Sequence, residues 1–286
     1  MADETLPDIG RLSNAKIDGL LVRYARSGGT DGIPVLLTAP WPESIYAFRH
    51  VIPRLRDTHS FIAVDLPGFG HSECRPNVMS PQAMGDFVVR LLNHFQMGRV
   101  HAIAPDVGAL AVLFAASKNP NLFESIALGS AATRADTAAG VLFDLIHSPP
   151  GAFAEVDGVG AVSDYLTHAA ELTPAPIIED FRQASAGRRF EDAVQYVRGY
   201  LSDLQRLHPL LPNIRTPVLI IAGKSDPIVP PANGQLLADR LPRNRYVLLE
   251  AQHRAWEEAG SRYADELANW VKGGYLLAQR PDQIEA

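Results

Sequence analysis

The stretch that decides the fold is VHAIAPDVGALAVLFAA, residues 100–116. Residues 100–104 are apolar enough for a buried strand, and residues 109–116 form an apolar helix. The junction between strand and helix runs from Ala104 to Gly108, with Asp106 at its centre. Small residues on both sides of a turn let strand and helix approach closely. The stretch therefore predicts strand, sharp turn and helix, with Asp106 at the tip. Taken alone, Asp106 could equally be a simple helix N-cap.

The same alternation of strand and helix extends along much of the chain. Uninterrupted apolar runs predict further strands, covered on both faces, at 34–38, 61–65, 125–128, 217–222 and 246–249. Helical patterns begin at Ser80, at about Val107 and at about Ser261. Such alternation is typical of an α/β fold with a mostly parallel central sheet flanked by helices.

The alternation stops between residues 132 and 211. This stretch contains no convincing buried strand, and residues 190–201 follow a helical pattern. We therefore predict a helical cap at 132–211, inserted into an α/β core formed by 1–131 and 212–286. We expect the cap to close over a site on the core.

Composition excludes several classes of function. The formal net charge of -6 provides no positive surface for nucleic acid or an anionic membrane. One cysteine rules out an internal disulfide and a cysteine-rich metal site. No apolar run approaches the roughly 20 residues of a membrane span, and the N-terminal residues lack a signal-peptide pattern. We expect a cytoplasmic protein acting on a small, apolar molecule without metal or cofactor. The sequence leaves a homodimer open.

Two further polar residues follow predicted strands. Asp226 comes after the strand at 217–222, and His253 comes after the strand at 246–249. The carboxyl ends of parallel strands lie at one edge of a sheet, so both side chains are expected near Asp106. Asp226 alone could be a turn residue before Pro227. Together, however, the order Asp106, Asp226, His253 is that of a nucleophile, an acid and a histidine that activates water.

From about Ile17 to Val271, the chain resembles α/β-hydrolases of the epoxide hydrolase and haloalkane dehalogenase group, which use an aspartate nucleophile. The resemblance implies the α/β-hydrolase fold, with the cap inserted after the sixth strand of the fold. It also implies that Asp106 is the nucleophile and that Asp226 and His253 are its partners. The segment DLPGFGHS, residues 65–72, resembles a structural loop of many such proteins.

The chain departs from this family at two places. The family motif H-G-x-P after the first buried strand reads Ala-Pro-Trp-Pro at residues 39–42. The resemblance still implies a cis Trp41–Pro42 bond and an oxyanion hole made by the backbone N–H groups of Trp41 and Val107. Val107 replaces a family tryptophan that holds halide in dehalogenases. That change weakens the dehalogenase interpretation, although Trp41 could supply a halide contact.

Epoxide hydrolases of this group also carry cap tyrosines that donate a proton to the epoxide oxygen. Tyr196 lies near the expected place, and Tyr200 follows one turn later, so both could point into the pocket. Packing between cap and core would explain them equally well. For the second family tyrosine, early in the cap, the candidates are Tyr165 and Phe153, of which only Tyr165 has a hydroxyl.

These residues predict a hydrolase that opens an epoxide to a vicinal diol through an ester on Asp106. Water activated by His253 and Asp226 would hydrolyse that ester, with Tyr196 as proton donor. A haloalkane or haloacid dehalogenase could use the same three residues. A non-hydrolytic isomerase or cyclase of natural-product biosynthesis and a non-enzymatic binding protein are further alternatives. The presence of Asp226 and His253 argues against both, because only the water-dependent step requires them.

Overall fold

The computed structural model describes residues 6–28, 32–138 and 140–278. Its core is one eight-stranded sheet. The strands are β1 (Arg11–Ile17), β2 (Leu20–Arg26), β3 (Val35–Thr38), β4 (Phe61–Val64), β5 (Val100–Pro105), β6 (Phe123–Gly129), β7 (Val218–Gly223) and β8 (Asn244–Leu249). All six strands predicted from apolar runs are present, but β8 is an edge strand and is not covered on both faces as expected, since Leu248 is exposed.

The sheet is mostly parallel. Its strand order is β1-β2-β4-β3-β5-β6-β7-β8, and β2 pairs antiparallel with both β1 and β4. The remaining pairs are parallel. This confirms the predicted α/β-hydrolase fold. The carboxyl ends of β3, β5, β6 and β7 meet at one edge, where ligand sites of such sheets form.

Sequence reasoning missed the hairpin of β1 and β2. Its turn consists of Asp18 and Gly19, both with positive φ, at 50° and 84°. Asp-Gly is a strong signal for a two-residue hairpin turn. The flanking strands are half exposed and carry arginine and lysine, so they lack the apolar continuity of the buried strands.

Helices cover both faces of the sheet. They are α1 (Ile52–Leu55), α2 (Pro81–His94), α3 (Val107–Lys118), α4 (Gly140–His147), α5 (Gly158–Ala161), α6 (Ser163–Ala169), α7 (Ala175–Ser185), α8 (Arg189–Arg198), α9 (Tyr200–Leu207), α10 (Ala232–Arg240), α11 (Ala255–Glu258) and α12 (Gly260–Val271). The predicted start of α2 at Ser80 is confirmed: Ser80 is the N-cap, and its Oγ accepts the N–H of Ala83 at 3.3 Å. None of the helices within the described ranges has the length and apolarity needed to cross a bilayer.

The stretch between β6 and β7, called here the inserted segment (residues 132–211), is helical. Its described residues form α4 to α9 together with short 3-10 turns, and they contain no strand. The predicted helix at 190–201 divides at Gly199, which lies against the start of α2. A Cβ on Gly199 would approach Pro81 Cδ to 3.1 Å. Gly199 keeps helical dihedrals, and the rings of Tyr196 and Tyr200 on either side of it lie in contact, with centroids 5.8 Å apart.

Polar contacts tie the inserted segment to the sheet. Asp180 on α7 accepts a hydrogen bond from Ser44 Oγ at 2.5 Å and another from Arg23 Nη1 at 3.0 Å. His71 Nε2 lies 3.1 Å from the same carboxylate. Asp65, in the loop predicted to be structural, accepts the backbone N–H groups of Ile45 at 2.9 Å and His71 at 3.0 Å. These contacts hold the segment above the carboxyl edge of the sheet.

Candidate active site

Asp106 alone forms the turn between β5 and α3. Its φ of 51° places a non-glycine residue in the left-handed region, a strained conformation that is concentrated at functional sites. A Cβ on Gly108 would lie 2.0 Å from Thr38 Oγ1, so only glycine lets α3 pass this close to β3. The backbone N–H of Asp106 donates to the carbonyl of Gly129 at 2.7 Å. The local geometry agrees with the sharp turn predicted from the small residues.

The Asp106 carboxylate lies close to backbone amides of two segments. The N–H of Trp41, which follows β3, donates to Asp106 Oδ2 at 2.8 Å, and the N–H of Val107, the first residue of α3, acts to lower the pKa of the carboxyl. Burial raises the pKa of Asp106 above its ordinary value, while the nearby His253 and the two amides oppose this shift. The bond between Trp41 and Pro42 is cis. Of the two amides predicted to form an oxyanion hole, that of Trp41 is hydrogen-bonded to Asp106, and that of Val107 is adjacent to it in the chain.

His253 and Asp226 form a hydrogen-bonded pair beside Asp106. Nδ1 of His253 lies 2.8 Å from Asp226 Oδ2, while the other Asp226 oxygen accepts the N–H groups of Ile228 and Val229, each at 2.8 Å. On the far side of the ring, Nε2 of His253 lies 4.0 Å from Asp106 Oδ1. Burial lowers the pKa of His253, but the hydrogen bond and charge of Asp226, with the charge of Asp106, raise it overall.

A cavity of about 130 Å³ opens beside Asp106 and His253. Its other polar or aromatic lining residues are Trp41, Tyr165, Tyr200 and Phe190, and the remainder are aliphatic or proline. No lysine, arginine, glutamate or amide side chain belongs to the lining formed by the described residues. The cavity therefore suits an uncharged, apolar ligand.

The structure corrects the expectation that Tyr196 and Tyr200 both face the pocket. The Tyr196 hydroxyl donates to the backbone carbonyl of Val107 at 2.5 Å, beneath α3. Its ring packs edge-on against Phe69, with centroids 5.2 Å apart, and it does not line the cavity. Tyr200, which begins the next helix, does line it. The i, i+4 spacing does not predict how the helices pack, and the packing leaves the Tyr196 hydroxyl bound to the Val107 carbonyl while Tyr200 lines the cavity.

Tyr200 and Tyr165 differ in what engages their hydroxyls. The Tyr200 hydroxyl has no hydrogen-bond partner among the described residues; burial and the charge of Asp106 raise the pKa of Tyr200 well above its ordinary value. The Tyr165 hydroxyl donates to Glu43 Oε1. Glu43 is fully buried and also accepts Trp256 Nε1–H at 3.0 Å. Sequence reasoning missed Glu43, although it directly follows the Pro-Trp-Pro motif.

Phe153, the other early candidate, does not line the cavity. Its ring packs edge-on against Phe190, with centroids 5.3 Å apart. Phe190 in turn lies 5.5 Å from the Trp41 ring, and both of those rings do line the cavity. Phe153 therefore supports the cavity wall from behind.

The described residues contain no cluster of three or more histidine, cysteine, aspartate or glutamate side chains arranged to hold a metal ion. Cys74, the single cysteine, is half-buried near Met79 and Gly68 and lies outside the cavity.

Comparison with known proteins agrees with the topology. A family described as alpha/beta hydrolase fold matches residues 33–165. The uncharacterized hydrolase YugF of Bacillus subtilis is 26% identical over 269 residues, which cover 90% of this chain and 96% of that protein. A soluble epoxide hydrolase of Corynebacterium sp. is 33% identical over 112 residues, which cover 39% of this chain and 38% of that protein. The crystal structure of Cfl2 from Burkholderia cenocepacia superposes with a TM-score of 0.78 at 21% identity, covering 91% of this chain and 95% of that one.

Proposed function

We propose that this chain, a protein of the α/β-hydrolase fold, is a hydrolase that opens an epoxide to a vicinal diol through a covalent ester on Asp106. One observation carries the proposal. The Asp106 carboxylate is bound at Oδ2 by the Trp41 N–H, while Oδ1 faces His253 Nε2 across 4.0 Å beside an apolar cavity. One oxygen is thus held by the backbone, and the other is available for attack.

In the first step, Asp106 Oδ1 attacks an epoxide carbon. A carbon–oxygen bond forms, the ring carbon–oxygen bond breaks, and the ring oxygen leaves as an alkoxide. The carboxylate needs no base, because aspartate at its ordinary pKa of about 3.9 is ionised at neutral pH, and the charge of His253 and the Trp41 amide oppose the rise in pKa that burial causes. Tyr200 lines the cavity with an unengaged hydroxyl and donates the proton that the alkoxide takes. Tyr196 was the expected donor, but its hydroxyl is held by the Val107 carbonyl.

In the second step, water hydrolyses the ester. His253 Nε2 accepts a proton from water, and the water oxygen attacks Cγ of Asp106. The carbonyl electron pair moves onto Oδ2, which the amides of Trp41 and Val107 stabilise. The tetrahedral species then expels the diol oxygen, which takes the proton from His253. The second proton of the water remains on the regenerated Asp106 carboxyl and passes to the Tyr200 phenolate, which restores both residues of the cavity lining. Asp226 stabilises the histidine cation between these two events.

The cavity lining favours an uncharged substrate. A haloacid or an epoxy acid would bring a carboxylate into a cavity whose described lining has no lysine or arginine to pair with it, and burying an unpaired charge is costly. The volume of about 130 Å³ favours a compact apolar substituent next to the reacting ring.

Similarity to the epoxide hydrolase of Corynebacterium sp. supports this reaction over about two fifths of the chain. A haloalkane dehalogenase is the second candidate, because the same carboxylate could displace halide and the Trp41 ring lines the cavity. Tyr200 favours the epoxide. Its hydroxyl can protonate an alkoxide, whereas a departing halide requires no proton.

The test is to trap the ester. His253→Gln protein is incubated with a small apolar epoxide and, separately, with a 1-haloalkane of similar size, and intact mass is measured. We expect a gain equal to the mass of the epoxide, mapped to the peptide containing Asp106.

Two controls make the result specific. His94→Gln, an exposed histidine on α2, should turn over substrate and accumulate no adduct. Asp106→Ala combined with His253→Gln should form none. A stable adduct from the haloalkane alone would replace the epoxide proposal with dehalogenation. An adduct that persists without Asp106 would overturn both.

A further inference from the structure

The end of β6 contacts the main chain around all three candidate catalytic residues. Gly129, the last residue of the strand, accepts the backbone N–H of Asp106 at 2.7 Å. Ser130 follows directly, and its hydroxyl donates to the backbone carbonyl of His253 at 2.7 Å. The Ser130 N–H donates to the carbonyl of Ile221 at 3.0 Å, on the strand that leads to Asp226.

Ser130 is built into this junction under strain. It is 1% exposed, and its φ of 43° lies in the left-handed region. Non-glycine residues keep such a conformation only where the surrounding structure enforces it, and they are concentrated at functional sites. Ser130 fits this pattern, because it is buried and its hydroxyl is bound to the loop that carries His253.

The distance between His253 Nε2 and the Asp106 carboxyl is critical to the second step of the proposed reaction. The His253 ring is held at Nδ1 by Asp226, and its Nε2 stands 4.0 Å from Asp106 Oδ1. A general base must remain within hydrogen-bond reach of the water that it activates. The placement of the His253 ring depends on the placement of the His253 main chain. Ser130 Oγ hydrogen-bonds directly to that main chain at the His253 carbonyl.

We propose that Ser130 is a positioning residue that holds the His253 loop at the distance required for ester hydrolysis. The inference rests on the proposed two-step reaction and concerns its second step. Ser130 does not line the cavity, so alkylation of Asp106 does not involve it.

The test measures the two steps separately by rapid quench and intact mass, with a small apolar epoxide as substrate. In Ser130→Ala, hydrolysis of the ester should slow about tenfold, as expected for loss of one buried hydrogen bond, while alkylation stays close to wild type. The ester should therefore accumulate during turnover.

Ser130→Gly separates the hydrogen bond from the backbone strain, because glycine adopts positive φ freely. If the hydroxyl is responsible, glycine should slow hydrolysis as much as alanine does. Ser125→Ala is the matched control: Ser125 is a buried serine on β6, the strand that precedes Ser130, and it is bound to His101 Nδ1 at 2.8 Å, away from the cavity. It should leave the ratio of the two rates unchanged.

A wild-type ratio in both Ser130 variants would overturn this inference and leave the proposed function intact. An equal change in Ser125→Ala would also overturn it, since the effect would then be a general loss of packing. If no ester forms in any variant, including His253→Gln, the proposed function itself fails.

Discussion

Trp41 donates its backbone N–H to Oδ2 of Asp106 at 2.8 Å, so one oxygen of the candidate nucleophile already lies in the proposed oxyanion hole. If Oδ1 becomes alkylated, Oδ2 becomes the ester carbonyl oxygen without leaving this contact. The negative charge that develops on Oδ2 during hydrolysis would then meet donors already in place, and preorganised donors of this kind are a large source of rate enhancement. Both steps of the proposed reaction thus use one fixed carboxylate.

Replacing Tyr200 with phenylalanine should slow alkylation of Asp106 by about 100-fold or more, the usual contribution of a general acid. Single-turnover rates with a small apolar epoxide measure this effect. Tyr196→Phe is the matched control, because its hydroxyl is bound to the Val107 carbonyl away from the cavity. A larger loss in Tyr196→Phe than in Tyr200→Phe would return the role of proton donor to Tyr196.

Tyr165→Phe should leave alkylation within a few-fold of wild type, because the Tyr165 hydroxyl is engaged by Glu43. The fold should be destabilised by about 1–3 kcal/mol, since the buried Glu43 carboxylate loses one of its donors. Urea unfolding and single-turnover kinetics on the same variant separate the two effects. A loss of alkylation as large as that of Tyr200→Phe would show that Tyr165 also donates a proton.

Hydrolysis of the ester should decline as pH falls, because His253 must be neutral to accept a proton from water. Asp226 and Asp106 raise the pKa of His253 overall, so in the free enzyme it loses its proton above the ordinary value of about 6.5. Alkylation removes the Asp106 charge and one contribution to this rise. The inflection for ester hydrolysis should therefore lie below the His253 pKa measured by NMR titration of the free enzyme. An inflection at or above the free-enzyme pKa would contradict this assignment.

Gly108→Ala should destabilise the fold by about 1–3 kcal/mol, the usual cost of overpacking a core. The added Cβ would meet Thr38 Oγ1 at 2.0 Å, and separating α3 from β3 would relieve that clash. Urea unfolding gives the free-energy difference. Gly98→Ala is the control, because a Cβ there meets nothing within 4 Å. Equal stability of the two variants would contradict the steric argument for the turn.

The sharp turn at Asp106 was predictable because its requirements are local. Small residues at 104 and 108 are needed wherever a strand turns directly into a helix, and they can be read from five consecutive positions. The positions of Asp226 and His253 were predictable because each follows a recognisable apolar strand, and parallel strands end at the same edge.

Other parts of the site depend on which distant segments meet. Tyr196 and Tyr200 have helical spacing and their rings are in contact, but the Tyr196 hydroxyl binds the Val107 carbonyl and only Tyr200 lines the cavity. Glu43 contacts Tyr165 and Trp256, which are 122 and 213 residues away in the chain. Contacts of this kind arise from tertiary packing and leave no periodic signal in a single sequence.

The most direct test of the central claim is a single turnover in H₂¹⁸O with enzyme in excess over a small apolar epoxide. If Asp106 is the nucleophile, the diol from the first turnover carries no ¹⁸O, because its new oxygen comes from the carboxylate. The peptide containing Asp106 then gains ¹⁸O from water. First-turnover diol that carries ¹⁸O, together with an unlabelled Asp106 peptide, would show that water attacks the substrate directly and would contradict the account.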